Sequence, residues 1–157
     1  MLKNLFIVRH GHADFSAVRD FDRVLTLKGI KAVNNTATFI NQICQEKNIS
    51  IDLCISSAAN RTMQTSEIIC FKCDVRFCEN YKELYSTVAS HWIDKIAESK
   101  FNNIVLVGHN PTFSQLVNNL CGHEVYMQPA NCAVVSLEIK QDGIIYPAQL
   151  NNFFNNE

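Results

Sequence analysis

The chain has 157 residues, 47% of them hydrophobic and 18% charged, with a formal net charge of -1. That length fits one domain around one core, and the composition excludes a disordered chain. A near-neutral balance without a Lys/Arg block speaks against a nucleic-acid or acidic-membrane surface.

The first predicted element is a strand, "LFIV" (5 to 8), followed at once by Arg9-His10-Gly11. A helix follows over 26 to 47, where Ile30, Val33, Ala37, Ile40 and Cys44 recur at three- and four-residue steps and form one apolar stripe. Next come a strand "LCIS" (53 to 56), a helix after Ser57, and a strand "VRFC" (75 to 78). A third helix runs over about 86 to 100 through Val88, Trp92, Ile93 and Ile96, followed by the strand "IVLV" (104 to 107). A fourth helix starts at "NPTF", with Asn110 as cap and Pro111 at the first helical position. "AVVSLEIKQDGIIYPAQL" then reads as a hairpin with Asp142 and Gly143 in its turn.

The first, second and fourth of these strands are continuously apolar, as strands buried on both faces are. Strands alternating with helices predict a three-layer α/β/α sandwich, its central sheet mostly parallel with an antiparallel edge. The expected organisation is one domain over 1–150 and a frayed polar tail, "NNFFNNE", over 151–157.

"MLKNLFIVRH" is too short in its apolar run for a signal peptide, and nothing later reaches the length of a membrane span, so a soluble cytoplasmic protein is expected. The seven Cys are odd in number, and Cys44, Cys54, Cys78 and Cys132 lie inside apolar patterns, which fits a reducing compartment. "CFKC" (70 to 73) has Cys-x-x-Cys spacing but closes a helix, whereas a redox pair of that type opens one, so it is given neither a redox nor a zinc role.

In open α/β sheets ligands bind beyond the carboxyl ends of the strands. Arg9 and His10 follow the first strand, Ser57 and Arg61 the second, and His109 and Asn110 the fourth. Two Arg and two His at one sheet edge, without carboxylates among them, repel one another unless an anion fills the space. A phosphoryl group suits that space, because guanidinium forks bind its oxygens bidentately. Neighbouring cations would keep the His10 imidazole neutral and nucleophilic. Gly11 would let the backbone approach the anion, and the helix starting at Asn110 would point free amides at it.

"VRHG", "LTLKG" (25 to 29), "SSAANRTMQT" (56 to 65) and "VGHNP" (107 to 111), in this order and spacing, resemble the histidine phosphatase superfamily, also called phosphoglycerate mutase-like. The short length and "DFDRVLTLKG" are most similar to its compact SixA-type branch of phosphohistidine phosphatases. The resemblance implies a phosphatase without metal or cofactor, in which His10 forms a phosphohistidine intermediate. Arg9 and Arg61 would bind phosphoryl oxygens, His109 would donate a hydrogen bond in the transition state, and Ser57 would line the pocket or cap the second helix. Larger members carry an acid for the leaving oxygen. Glu83 in "YKELYS" lies in the corresponding region but is read equally as an ordinary loop carboxylate.

The implied partner is a phosphorylated protein, in particular a histidine-phosphotransfer domain, because a short chain without a lid-length insertion predicts a shallow site. A small phosphomonoester is the alternative substrate, and a phospho-binding module without turnover is the non-enzymatic one. A metal site of His10, His12 and Asp14 is the rival chemistry. It fails at Phe15, where the next ligand would stand, and at Arg9 and Arg61, which repel a dication. His12 is then a polar loop residue beside the pocket, and His91 and His123 are surface residues.

Overall fold

The computed structural model describes residues 1–156. Its strands are β1 (Leu2–Arg9), β2 (Leu53–Ser57), β3 (Phe77–Tyr81), β4 (Asn103–Gly108), β5 (Cys132–Lys140) and β6 (Gly143–Phe154). Its helices are α1 (Leu27–Lys47), α2 (Asn60–Lys72), α3 (Ala89–Glu98) and α4 (Thr112–Cys121), with short 3-10 turns at Asp20–Asp22 and Lys82–Leu84. The six strands form one sheet in the order β3-β2-β4-β1-β5-β6. Strands β1 to β4 are mutually parallel, and β5 and β6 close one side as an antiparallel pair.

The continuous apolar strands supply two cores. Leu5 and Ile7 of β1 and Ile104 and Leu106 of β4 face α3 and α4, where Trp92, Ile96, Phe113 and Leu116 meet them. Phe6 and Val8, with Val105 and Val107, face the other way, onto Val33, Ala37 and Ile40 of α1 and Ile69 of α2. Alternate side chains of one strand thus serve opposite layers, which is why these runs show no polar alternation. The expected three-layer sandwich is the observed architecture. Among the described residues no helix is long and apolar enough to cross a membrane.

Several boundaries move. Strand β3 begins two residues later than expected and is largely exposed, because its position follows pairing of Cys78 with Cys54 at the open sheet edge rather than burial. Helix α3 is shorter, since Val88 and Ser99 are extended residues flanking it. Helix α4 starts one residue later than read, with Pro111 as its N-cap (φ -79°, ψ -6°) and Thr112 as its first residue, although the Asn110 side chain still accepts from the Ser114 N–H at 3.1 Å. In the hairpin, Lys140 pairs with Gly143, which makes Gln141 and Asp142 the turn residues.

The expected frayed tail over 151–157 is corrected as far as residue 156, and Glu157 lies outside the described residues. Residues 151 to 154 complete β6, Phe154 pairs with Cys132, and its ring stacks on Phe39 at 4.7 Å. Asn156 donates to the Ala32 and Ala130 carbonyls and to Thr36 Oγ1. One Phe ring in an Asn-rich setting, that of Phe154, packs against the core on the α1 side and supplies the anchoring that composition hid.

Candidate active site

The register of β1 on β4 builds the site. Arg9 is the pairing partner of Gly108, so the next residue on each parallel strand is a histidine at the same sheet edge. The His10 and His109 rings lie 5.3 Å apart with a 59° tilt.

His10 is 7% exposed. Its Nδ1 lies 2.7 Å from the Gly11 carbonyl, which can only accept, so the proton sits on Nδ1 and Nε2 keeps its lone pair. Arg61 Nε donates to that Nε2 at 3.3 Å. Burial lowers the His10 pKa to about 3, against the Gly11 bond, with His109, Arg61 and Arg9 adding repulsion. The ring is therefore neutral at physiological pH.

Arg61, 6% exposed, sits in the first turn of α2. Its two Nη atoms reach Asp20: Nη1 donates to the carbonyl at 2.8 Å and Nη2 to Oδ2 at 2.9 Å. Asp20 also takes Arg23 Nη1 at 3.2 Å and the Tyr85 hydroxyl at 2.5 Å. These bonds, Tyr85 foremost, hold its carboxyl well below the usual carboxylate range. The cationic edge thus has a carboxylate after all, which sequence reasoning placed nowhere near it. Arg9 donates from Nη1 to the Met127 carbonyl at 2.8 Å, while its buried Nε finds no acceptor among the described residues.

His109 accepts from Arg61 Nη2 at its Nδ1 (3.4 Å), so Nε2 carries the proton and donates to Ser57 Oγ at 2.6 Å. Ser57 Oγ lies 2.7 Å from Thr62 Oγ1, which donates on to backbone carbonyls. Ser57 is fully buried at the end of β2; it neither lines the cleft nor caps α2, whose N-cap is Ala59. It holds His109. Burial first, then Arg61, lowers the His109 pKa to about 4.

Gly11 serves packing rather than an anion. Its N–H donates to Thr65 Oγ1 at 3.1 Å, and a Cβ there would meet Val33 Cγ2 at 2.8 Å. The Asn110 amide lines the cleft but is spent on Met127 O and Ser114. Glu83 is not in the cleft: its carboxylate lies 3.7 Å from Lys95 and is largely exposed. Two residues on, Tyr85 is the member of that segment that reaches the site, its ring edge-on to His109 at 5.5 Å. His12 and Asp14 turn to Thr26 Oγ1 and the Ser16 N–H, and no three His, Cys, Asp or Glu among the described residues converge as a metal needs.

The cleft over these residues holds about 210 Å³ and is walled by Arg9, His10, Arg61 and His109, with Phe15 and Arg23 at its side. Arg23 was missed in the sequence; its guanidinium lies over the Phe15 ring at 3.9 Å and donates to the Ala13 and Asp14 carbonyls. A cavity of about 340 Å³ adjoins the cleft, sharing His12 and Pro129.

No family model and no curated protein sequence matches the chain. Solved structures do. SixA from Agrobacterium tumefaciens, provisionally named a phosphohistidine phosphatase, superposes with a TM-score of 0.79 at 21% identity over 98% of this chain and 97% of its own. The protein histidine phosphatase SixA complexed with tungstate gives 0.78 at 21% over 98% and 97%. Phosphoglycerate mutase from Bacillus anthracis gives 0.71 at 16% over 96% and 92%. From end to end, the chain has the phosphoglycerate mutase-like fold shared by these proteins.

Proposed function

We propose that the chain is a phosphatase that passes a phosphoryl group through a covalent intermediate on His10, with a protein phosphohistidine as substrate. The observation that carries this reading is the His10 Nε2 lone pair, held unprotonated beside Arg61 at 3.3 Å. An arriving phosphoryl oxygen takes over the Arg61 Nε–H, which frees the Nε2 lone pair to attack phosphorus while the bond to the leaving imidazole breaks on the opposite side and its nitrogen takes a proton from solvent. Charge on the equatorial oxygens meets Arg9, whose Nε is a buried donor with no other acceptor among the described residues, and Arg61. Water then attacks the phosphohistidine and releases phosphate. His109, neutral in the free protein, takes a proton from solvent at Nδ1 as the dianion arrives and hydrogen-bonds through it to a phosphoryl oxygen.

The leaving group decides the substrate class. No Asp or Glu lines the cleft among the described residues, and Asp20 is held ionised by its three donors. An alkoxide needs a proton in order to leave, whereas an imidazole leaves phosphorus more readily. The small cleft volume also falls below the ~300 Å³ at which pockets for small molecules usually begin. A second reading, a small phosphomonoester, is favoured by the adjoining 340 Å³ cavity, which would hold its organic part.

The test compares kcat/KM, with chelator present, on a histidine-phosphorylated phosphotransfer domain and on a panel of small phosphomonoesters. The His10→Ala variant serves as the blank. Preference for the phosphodomain supports the reading, and preference for an ester replaces its substrate. Binding of phosphate with no turnover on either would leave a phospho-binding module, and loss of all turnover on chelation would refute a metal-free reaction.

A further inference from the structure

Three cysteines that the proposed chemistry does not use converge on the far side of α2. The β2–β3 register pairs Cys54 with Cys78, and directly paired residues of neighbouring strands point to one face of a sheet. That face is covered by α2, whose last turn places Cys70 against the same surface cleft as Cys78. Cys54 is 1% exposed, whereas Cys70 is half-buried and Cys78 exposed. Cys70 and Cys78 line one surface cleft of about 250 Å³, together with Met63 and Glu67, so a small oxidant reaches both sulfurs. The Cys-x-x-Cys partner of Cys70 is turned away: the Cys73 thiol donates to the Ala37 carbonyl of α1 at 3.4 Å.

We propose that Cys70 and Cys78 are an oxidation site, closing to a Cys70–Cys78 disulfide when a peroxide enters the cleft they share. Cys70 is the attacking thiolate. The neighbouring thiols donate to it, Cys54 first, and lower its pKa against the effect of burial. Its sulfur attacks one peroxide oxygen: an S–O bond forms, the O–O bond breaks, and the departing hydroxide takes a proton to become water. Cys78, whose thiol pKa is raised first by burial and then by the neighbouring Cys70, resolves the oxidised Cys70 by losing its proton to solvent. Its thiolate attacks the Cys70 sulfur: the S–S bond forms, the S–O bond breaks, and the second oxygen leaves as water. Two thiols lose two electrons and two protons, and one peroxide becomes two waters. Cys54, fully buried with a thiol pKa raised well above the ordinary range, is a bystander.

Trypsin separates the four candidates. Cleavage after Lys47, Arg61, Lys72, Arg76 and Lys82 puts Cys54 in 48–61, Cys70 in 62–72, Cys73 in 73–76 and Cys78 in 77–82. The folded protein is treated with hydrogen peroxide, its remaining thiols are alkylated in denaturant, and the digest is mapped by mass spectrometry. The expected product links 62–72 to 77–82, disappears on reduction, and is absent from Cys70→Ser and Cys78→Ser. Cys78→Ser changes an exposed residue, and its circular dichroism confirms that the fold is kept. Linkage of 62–72 to 73–76 or to 48–61, alkylation of all seven thiols after oxidation, or sulfinic acid without any link would each overturn the proposal. Phosphatase activity is not measured, so the outcome is independent of the function proposed above.

Discussion

Arg61 Nε donates to His10 Nε2 at 3.3 Å, while both its Nη atoms are held by Asp20. One guanidinium therefore holds the proposed nucleophile and is itself held by a carboxylate-bearing residue. A lysine offers a single charged nitrogen and cannot do both. Arg61→Lys is expected to fold and to lose roughly 10²- to 10³-fold in kcat, the scale seen when one transition-state donor is removed. A kcat within threefold of the parent would remove Arg61 from the chemistry.

Asp20 also has a cost for anion binding, since it neutralises Arg61 and Arg23 beside the cleft. Asp20→Asn keeps an acceptor oxygen and removes the charge. Inorganic phosphate should then inhibit several-fold more tightly, measured as Ki at low ionic strength, where charge effects are least screened. Unchanged or weaker inhibition would mean that Asp20 acts only by placing Arg61.

Ser57 reaches the reaction only through His109, accepting from its Nε2 at 2.6 Å. Ser57→Ala should lower kcat about tenfold, leave KM within twofold, and shift the pH at which kcat falls. Ser57→Thr, which keeps the hydroxyl, should restore the pH profile. Equal effects of both variants on thermal stability with no change in the profile would reduce Ser57 to packing.

The two histidines make the fold acid-sensitive in a definable window. Burial depresses His10 to about 3 and His109 to about 4, below the ordinary value of ~6.5. As pH falls below ~6.5 the unfolded chain binds protons that the folded chain refuses, so stability present above that pH is lost progressively toward the folded values. Each histidine contributes at most about 1.4 kcal/mol per pH unit across that range. Urea unfolding at pH 7 and pH 5 should show a clear loss at pH 5, and His10→Asn should remove about half of it.

Close packing of α1 under the first motif gives a further test. A Cβ on Gly29 would lie 2.1 Å from the His12 carbonyl oxygen, and backbone cannot yield as a flexible side chain does. Gly29→Ala should lower the melting temperature by several degrees, on the scale of about 1–3 kcal/mol for overpacking. It should also impair activity, because the displaced segment carries His10. Full activity with full stability would contradict the contact.

The layered fold and four site residues were legible because strand-end chemistry and apolar runs are local signals. Arg9, His10, Arg61 and His109 each follow or cap an apolar element, and parallel pairing gathers them. Asp20, Arg23 and Tyr85 were not legible: they stand in segments without periodicity and reach the cleft only through tertiary placement. Glu83 stood equally as an acid and as an ordinary loop carboxylate, and the 3-10 turn at Lys82–Leu84 makes it the latter by presenting it to Lys95, while Tyr85 just beyond reaches the site. Gly11 was read as facing an anion because sequence cannot show that α1 passes so close behind it.

The strand order has a consequence for how the molecule is made. Asn4 of β1 pairs with Asn103 on one side and Ser136 on the other, so β1 precedes both of its neighbours, which arrive last among the central strands of this sheet. While the chain emerges from the ribosome, Leu5 to Val8 wait with both edges unpaired and every side chain apolar. Exposed edges of that kind recruit other chains, and the long-range pairings that would cover them form slowly. The strand that leads into His10 thus waits longest of the central strands for its partners, and a charge placed at its centre to protect it would have to be buried in the finished sheet.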